Sequence, residues 1–100
     1  MILNDRRLTA QEAYQFGMVN RVVPVESYLD EALRLAEAIA SRAPVAVRAA
    51  KKMINQAYER ALSDGLAEEK QEFYNLFATE DQKEGMQAFV EKRPPRWKGK

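Results

Sequence analysis

The residues with the clearest capacity for ligand chemistry lie near the end of the chain, where Lys92 follows Phe89 by three residues. On a helix, residues three apart share a face, so the ring and the ammonium group would be neighbours. An aromatic ring can line an apolar slot for a planar group such as adenine, and a lysine can bind a phosphate as a point charge. The pair is therefore a candidate ligand contact, with core packing of the ring as the alternative.

Acidic residues are plentiful, but their surroundings do not favour acid–base catalysis. A catalytic pair requires burial or a like-charged neighbour to shift its pKa. These side chains stand instead among lysines, glutamines and small residues, so we expect them on solvated helix faces. The acidic residues concerned are Glu68, Glu69, Glu72, Glu80, Asp81 and Glu84.

The chain contains neither histidine nor cysteine, which removes the commonest general base and the thiolate nucleophile. Ser27, Ser41 and Ser63 have no histidine to activate them, and none lies in a G-x-S-x-G turn. No zinc-protease, phosphate-loop or dinucleotide-binding motif occurs in the sequence. We therefore expect no catalytic residue and no metal site in this chain.

The composition indicates one small globular domain. Of its 100 residues, 46% are hydrophobic and 31% charged. A net charge of +1 favours neither nucleic acid nor a membrane, although the basic end of the chain with Trp97 leaves nucleic-acid binding as a remote alternative. No apolar run approaches the roughly 20 residues that span a bilayer, and the start does not resemble a signal peptide. We expect a cytoplasmic protein.

The first quarter of the chain predicts one short helix and a connector. Residues 9–12 (TAQE) fit a capping box, and the helix should end at Gly17 in the left-handed conformation. Residues 18–24 carry β-branched valines before a proline and are expected to be extended. We therefore divide the sequence into residues 1–24, a short helix plus an extended connector, and residues 25–100, a helical region.

The spacing of apolar residues predicts further helices from residue 25 onward. One should cover about residues 26–42, and a second should begin at a proline and cover about residues 44–62. Residues 63–65 (SDG) form a turn pattern, so a break and a new helix are expected there. Thr79 should cap the last helix. The prolines before residues 96–100 should end that helix and leave a solvated basic tail.

Several predicted helices are apolar over more than one stripe. Val45, Val47 and Ala50, for example, occupy different faces of one helix. A chain of this size buries only roughly 60–65% of the surface that it exposes when unfolded. We expect such faces to be covered by a missing domain or a partner subunit, and hence self-association or an exchange of helices between chains.

Three segments, in order, resemble the enoyl-CoA hydratase/isomerase (crotonase) superfamily. Residues 8–13 and 17–24 are similar to its S/T-A-x-E-A and G-L-V-N-x-V-V-P segments, and residues 43–51 to its A-P-x-A-x-x-x-x-K helix. Residues 77–93 (FATEDQKEGMQAFVEKR) resemble its F-x-T-E-D-x-x-E-G-x-x-A-F-x-E-K-R ending. The resemblance covers essentially the whole chain. Residues 3–6 (LNDR) depart from the common L-T-G-R/K.

The resemblance implies the all-α, multi-helix C-terminal region of a crotonase-like fold, which in the family builds trimers or dimers of trimers. It implies that the N-terminal spiral of ββα units is not represented. In the family, that spiral supplies the oxyanion hole and the acidic residues that act on an acyl-CoA thioester through an enolate. The parent would thus be a hydratase (a lyase) or an isomerase without a tightly bound cofactor, and the isolated chain is expected to be inactive.

The resemblance also implies which residues touch coenzyme A. Phe73, Phe89 and Lys92 match family positions that approach the adenine and the 3′-phosphate, in part across a subunit boundary. The face shared by Phe89 and Lys92 agrees with this, whereas Phe73 depends on the resemblance alone. The alternative from another functional class is a free-standing helical module that binds a protein partner and no ligand.

Overall fold

A computed structural model describes residues 3–100, which form helices joined by short connections and, over that range, no strand. The all-α prediction is confirmed. A compact unit ends at Leu35, and a second covers Ala36–Lys100. The helices are α1 (Ala10–Gln15), α2 (Tyr28–Ala40), α3 (Pro44–Gln56), α4 (Leu62–Leu76) and α5 (Glu80–Glu91), with a 3-10 turn at Val25–Ser27. The division after residue 24 stays a prediction.

The local chemistry around α1 is as the sequence predicts. The Oγ1 of Thr9 accepts a hydrogen bond from the backbone N–H of Glu12 (3.2 Å), whose carboxylate accepts from the Thr9 N–H (2.9 Å). These bonds, with a contribution from Arg6, hold the pKa of Glu12 below its usual value. Gly17 takes a φ of 71°, so the predicted left-handed ending is also confirmed.

The connection between α3 and α4 differs from the prediction. α3 ends at Gln56 rather than near residue 62, and residues 63–65 lie inside the first turns of α4 rather than in a break. Ala61 is the extended N-cap residue, and its carbonyl accepts the N–H of Gly65 (3.0 Å). An acidic residue in this first turn stabilises the positive end of the helix dipole, which outweighs the turn tendency of the SDG pattern.

An ion-pair network joins α3 to α4. The ammonium of Lys52 contacts the carboxylates of Glu72 and Glu68, and Arg60 pairs with Glu68 at 3.1 Å. The hydrogen bond with Glu72 is the main reason why the pKa of Lys52 is raised. The expectation that Glu68 and Glu72 are simply solvated is therefore wrong. Both side chains are about one-quarter exposed and hold two helices together.

Few side chains in the described residues are fully buried. Within residues 3–100, only Ala88 and Asp81 are buried to the degree typical of a protein core, each with 2% of its surface exposed. Large apolar side chains stay accessible along α3 and α4, among them Ile54 (62%), Leu66 (54%) and Phe73 (56%). The uncovered apolar faces that the sequence predicted are present. Packing within the described residues does not explain why these faces are apolar.

Candidate functional site

The candidate site is built on α5, whose two ends are defined by local backbone chemistry. At its start, the Oγ1 of Thr79 accepts the N–H of Gln82 (3.1 Å) and donates to the carbonyl of Leu76 (2.7 Å), which confirms the predicted cap. At its end, Lys92 adopts the left-handed conformation (φ 54°, ψ 38°). The N–H of Arg93 then donates to the Ala88 carbonyl at 3.0 Å.

Phe89 and Lys92 both face solvent at this end of α5. The Phe89 side chain is 82% exposed, the highest value of any phenylalanine in the described residues. The Lys92 N–H donates to the Phe89 carbonyl (3.3 Å), so the two backbones are adjacent. However, the left-handed φ turns the Lys92 side chain by roughly 120° from a helical direction. The spacing therefore predicted their proximity but not the relative direction of the two side chains.

Phe73 lies on α4, where its ring meets Phe77 edge-on (centroids 5.2 Å apart, planes at 71°) and Tyr74 at 6.3 Å. It lines an open apolar cleft of about 500 Å³ between α3 and α4. It also lines a second cleft, of about 390 Å³, where α3, α4 and α5 meet Trp97. Within residues 3–100, no ring contact joins Phe73 to Phe89, so the two candidate aromatics occupy separate places.

The end of the chain is not the solvated tail that the sequence predicted. Residues 93–100, called here the C-terminal strap, run back along α5 and are bound to it. Asp81, in the first turn of α5, accepts the backbone N–H groups of Lys98 (2.6 Å) and Gly99 (3.0 Å). The main-chain oxygen of Lys100 accepts the N–H of Asp81 (3.2 Å), one of the groups left without a helical partner in that turn.

Glu84 binds the other end of the C-terminal strap. The guanidinium of Arg93 donates to both of its carboxylate oxygens (2.6 and 2.9 Å), and the Arg96 N–H adds a third bond (2.7 Å). The Arg93 bonds are the main reason why the pKa of Glu84 is lowered to about 2. Like Asp81, Glu84 was expected to be solvated, and that expectation is wrong because main-chain donors of the strap reach both carboxylates.

Trp97 joins the C-terminal strap to the other helices. Its Nε1 donates to the carbonyl of Ser41 (2.8 Å). Its ring lies so close to α5 that a Cβ on Gly85 would come within 3.2 Å of the ring atom Cη2. Sequence reasoning missed this arrangement. The available signal was the spacing of Asp81 and Glu84, which puts both carboxylates on one face of α5, before a basic segment.

Comparisons with known proteins agree with the resemblance of the three segments. A family model described as enoyl-CoA hydratase/isomerase matches residues 1–100. A 2,3-dehydroadipyl-CoA hydratase from Escherichia coli is 46% identical over 100 residues, which are 100% of this chain and 39% of that protein. A mitochondrial enoyl-CoA hydratase from Pongo abelii is 46% identical over 98 residues, 98% of this chain and 34% of that protein.

Solved structures show the same likeness. The enoyl-CoA hydratase from Bacillus anthracis superimposes with a TM-score of 0.89 at 46% identity, over 95% of this chain and 37% of the other. An enoyl-CoA hydratase/isomerase from Mycobacterium paratuberculosis gives 0.90 at 32% identity, over 97% and 38%. The chain belongs to the enoyl-CoA hydratase/isomerase family. It spans between 34% and 39% of the length of the two curated relatives above.

Within residues 3–100, every helix falls short of the length and apolar character that a bilayer span requires. The same residues also contain no group of three or more acidic, histidine or cysteine side chains placed to hold a metal ion. The cytoplasmic location expected from the sequence stays a prediction.

Proposed function

We propose that this chain is the C-terminal helical region of an enzyme that acts on acyl-CoA thioesters by stabilising an enolate, hydrating or isomerising a 2-enoyl-CoA. Within that enzyme, the region serves assembly and contact with coenzyme A, and it does not perform the chemistry. The family match over residues 1–100 supports the first part, since the matched relatives are more than twice as long as the chain. The named activities of those relatives, both hydratases of CoA thioesters, support the substrate class.

The state of the acidic residues supports a non-catalytic role. A general acid of this kind of chemistry needs a carboxyl whose pKa is raised towards neutrality. The pKa of Glu84 is instead lowered to about 2, because the carboxylate binds Arg93 and the Arg96 N–H. Asp81 is occupied by two backbone donors of the C-terminal strap. We expect no hydration of crotonyl-CoA by the purified chain, and a measurable rate would contradict this part of the proposal.

The exposed apolar faces support a role in assembly. Apolar side chains left accessible on neighbouring helices are typical of surfaces that another protein surface covers. Ile54, Leu66 and Phe73 are each more than half exposed around one cleft. A trimer, or a dimer of trimers, is the arrangement that the family resemblance favours. Sedimentation of the purified chain tests this, because a monomer at all concentrations would contradict it.

The main support for the coenzyme A contact is the backbone conformation of Lys92. A residue with a Cβ in the left-handed region costs roughly 1–2 kcal/mol, and glycine is the usual residue at this position after a helix. The Lys92 ammonium forms no ion pair within residues 3–100 that would compensate this cost. A strained residue with a free charge indicates that the side chain serves a ligand. An anion such as the 3′-phosphate of coenzyme A fits the charge, and the exposed ring of Phe89, whose backbone adjoins that of Lys92, is available for the adenine.

Titration of the chain with coenzyme A and with dephospho-coenzyme A, which lacks the 3′-phosphate, tests the contact. We expect Lys92→Ala to weaken coenzyme A binding by roughly fivefold or more, in keeping with the loss of one charged hydrogen bond. The same variant should leave dephospho-coenzyme A binding unchanged. Lys83→Ala is the matched control, because Lys83 is an exposed lysine of the same helix.

The result also separates this proposal from its alternative. Equal loss with both ligands, or an equal effect of Lys83→Ala, would show that Lys92 does not read the phosphate. If neither ligand binds, the coenzyme A contact is wrong for the isolated chain, and the ligand-free interaction module becomes the better description. If coenzyme A does bind, Phe73→Ala and Phe89→Ala report which ring contributes, since loss of a ring that stacks on adenine weakens the binding of both ligands alike.

A further inference from the structure

The C-terminal strap is attached to α5 mainly through polar groups. Two carboxylates of α5 accept three strap N–H groups, those of Arg96, Lys98 and Gly99, at 2.6–3.0 Å. Main-chain N–H groups of an irregular segment have no helical or sheet partner, so these carboxylates complete their hydrogen bonding. Most strap side chains are exposed, which means that little apolar burial opposes the release of the segment.

The two attachment points, Asp81 and Glu84, lie one turn apart on α5 but bind opposite ends of the C-terminal strap. Glu84 binds the start of the C-terminal strap at Arg93 and Arg96, and Asp81 binds it near the other end. Because the segment between them is short, binding at one carboxylate holds the chain near the other and raises its effective concentration there. Attachment at the two carboxylates should therefore be cooperative, even though no bond links them directly.

The apolar contact of the C-terminal strap comes from Trp97. Its ring borders the cleft of about 390 Å³ that Phe73, Phe77 and Met86 also line. The strap takes no part in the hydrogen bonds within these helices, although the main-chain oxygen of Lys100 accepts the N–H of Asp81 at the start of α5. α3 and α4 are joined by Lys52 and its two glutamates, and α5 has its own cap at Thr79.

We propose that the C-terminal strap opens and closes as one unit, while α3, α4 and α5 remain helical, and so acts as a lid on the apolar cleft of Phe73, Phe77 and Met86. Opening breaks the bonds to Asp81 and Glu84 together and withdraws Trp97 from Ser41. The closed state is the one that the structure describes. The open state exposes the floor of the cleft without unfolding the helices that form it.

Amide hydrogen exchange of the full chain, resolved by residue, tests this proposal. In Asp81→Asn, one carboxylate oxygen is replaced by an amide nitrogen that cannot accept the strap N–H. We expect roughly ten- to hundredfold faster exchange at Lys98 and Gly99, the loss corresponding to a hydrogen bond to a charged group. Exchange of the Arg96 amide should accelerate by the same factor, although Glu84, which accepts its hydrogen bond, is unchanged. Amides in the second half of α5, such as that of Phe89, should keep their rates.

One control variant and one independent measurement show whether the effect is specific to the C-terminal strap. Asp64→Asn removes the equivalent acidic residue from the first turn of α4, so it reproduces the loss of a helix-dipole contact without touching the C-terminal strap. It should not change exchange at Arg96 or Lys98. Trp97 is the only tryptophan, so its quenching by acrylamide gives an independent measure, which should rise in Asp81→Asn and not in Asp64→Asn.

Two outcomes would overturn the proposal. Acceleration limited to Lys98 and Gly99 would show that the attachments are independent, and equal acceleration at Phe89 would show that α5 opens with the strap. If Asp81→Asn does not fold, Glu84→Gln makes the same test from the other end. This variant should accelerate amide exchange at Lys98 and Gly99, although their acceptor Asp81 is intact. Unchanged exchange rates there would refute opening as a unit.

Discussion

The contact between Trp97 and Gly85 can be measured by making the same substitution at two glycines. Gly85 and Gly65 both lie inside helices, where glycine is less favourable than alanine by roughly 0.5–1 kcal/mol. A Cβ on Gly65 would meet nothing within 4 Å, whereas a Cβ on Gly85 would lie 3.2 and 3.3 Å from two ring atoms of Trp97. The two substitutions therefore differ mainly in what they do to the C-terminal strap.

The expected magnitudes follow from these distances. Gly65→Ala should raise the free energy of unfolding by roughly 0.5–1 kcal/mol. Gly85→Ala should gain the same amount from helix propensity, but ordinary carbon contacts lie at about 3.5–4.0 Å, so the ring must move by a few tenths of an ångström. Moving it strains the hydrogen bond from Nε1 to the Ser41 carbonyl, which contributes about 1 kcal/mol. We expect Gly85→Ala to be near neutral.

Urea unfolding followed by circular dichroism, at one fixed protein concentration, measures both free energies. A double-mutant cycle with Trp97→Ala then isolates the contact, because without the indole ring Gly85→Ala should recover the full gain of Gly65→Ala. A coupling energy of about 1 kcal/mol is expected. If Gly85→Ala stabilises the chain as much as Gly65→Ala while Trp97 is present, the ring does not pack on α5 and the reasoning is refuted.

Three further predictions concern charged residues. Lys92→Gly should stabilise the chain by about 1 kcal/mol by relieving the left-handed backbone, while weakening coenzyme A binding; a loss of stability in urea would contradict this. The depressed pKa of Glu84 means that its contribution is complete above its ordinary value of 4.5 and is lost as pH falls through about 2. Quenching of Trp97 should therefore rise between those two pH values, and Glu84→Gln should remove most of this change. Lys52→Ala should lower the midpoint of thermal unfolding, because it removes the ion pairs between α3 and α4. Lys51→Ala, which removes an exposed neighbour, should leave that midpoint unchanged.

The parts of the fold that the sequence predicted are those controlled by local chemistry. Thr9 and Thr79 cap their helices because a hydroxyl needs only an N–H three residues away. Gly17 ends α1 because a residue without Cβ enters the left-handed region at no cost. Each of these structures is determined within four or five residues, so the sequence pattern contains all the information that is needed.

The parts of the fold that the sequence did not predict depend on residues far apart in the chain. Asp81 is recognisable as a structural residue only when the N–H groups of Lys98 and Gly99, 17 and 18 residues later, are known to meet it. Helical spacing contains no such information. The direction of the Lys92 side chain was missed for a different reason, since the periodicity argument assumes a helical φ and the helix ends one residue earlier.

The scarcity of fully buried side chains has a consequence for the thermodynamics of unfolding. The heat-capacity change depends on the apolar surface exposed, and an ordinary domain of this length gives about 1.2–1.5 kcal/mol/K. Side chains such as Ile54 and Leu66, already more than half exposed, add little to it while the chain is alone. The stability curve of a separate chain should therefore be unusually flat with temperature. Curvature should return only when the apolar faces are covered, so calorimetry over a range of concentrations would detect assembly through the heat capacity itself.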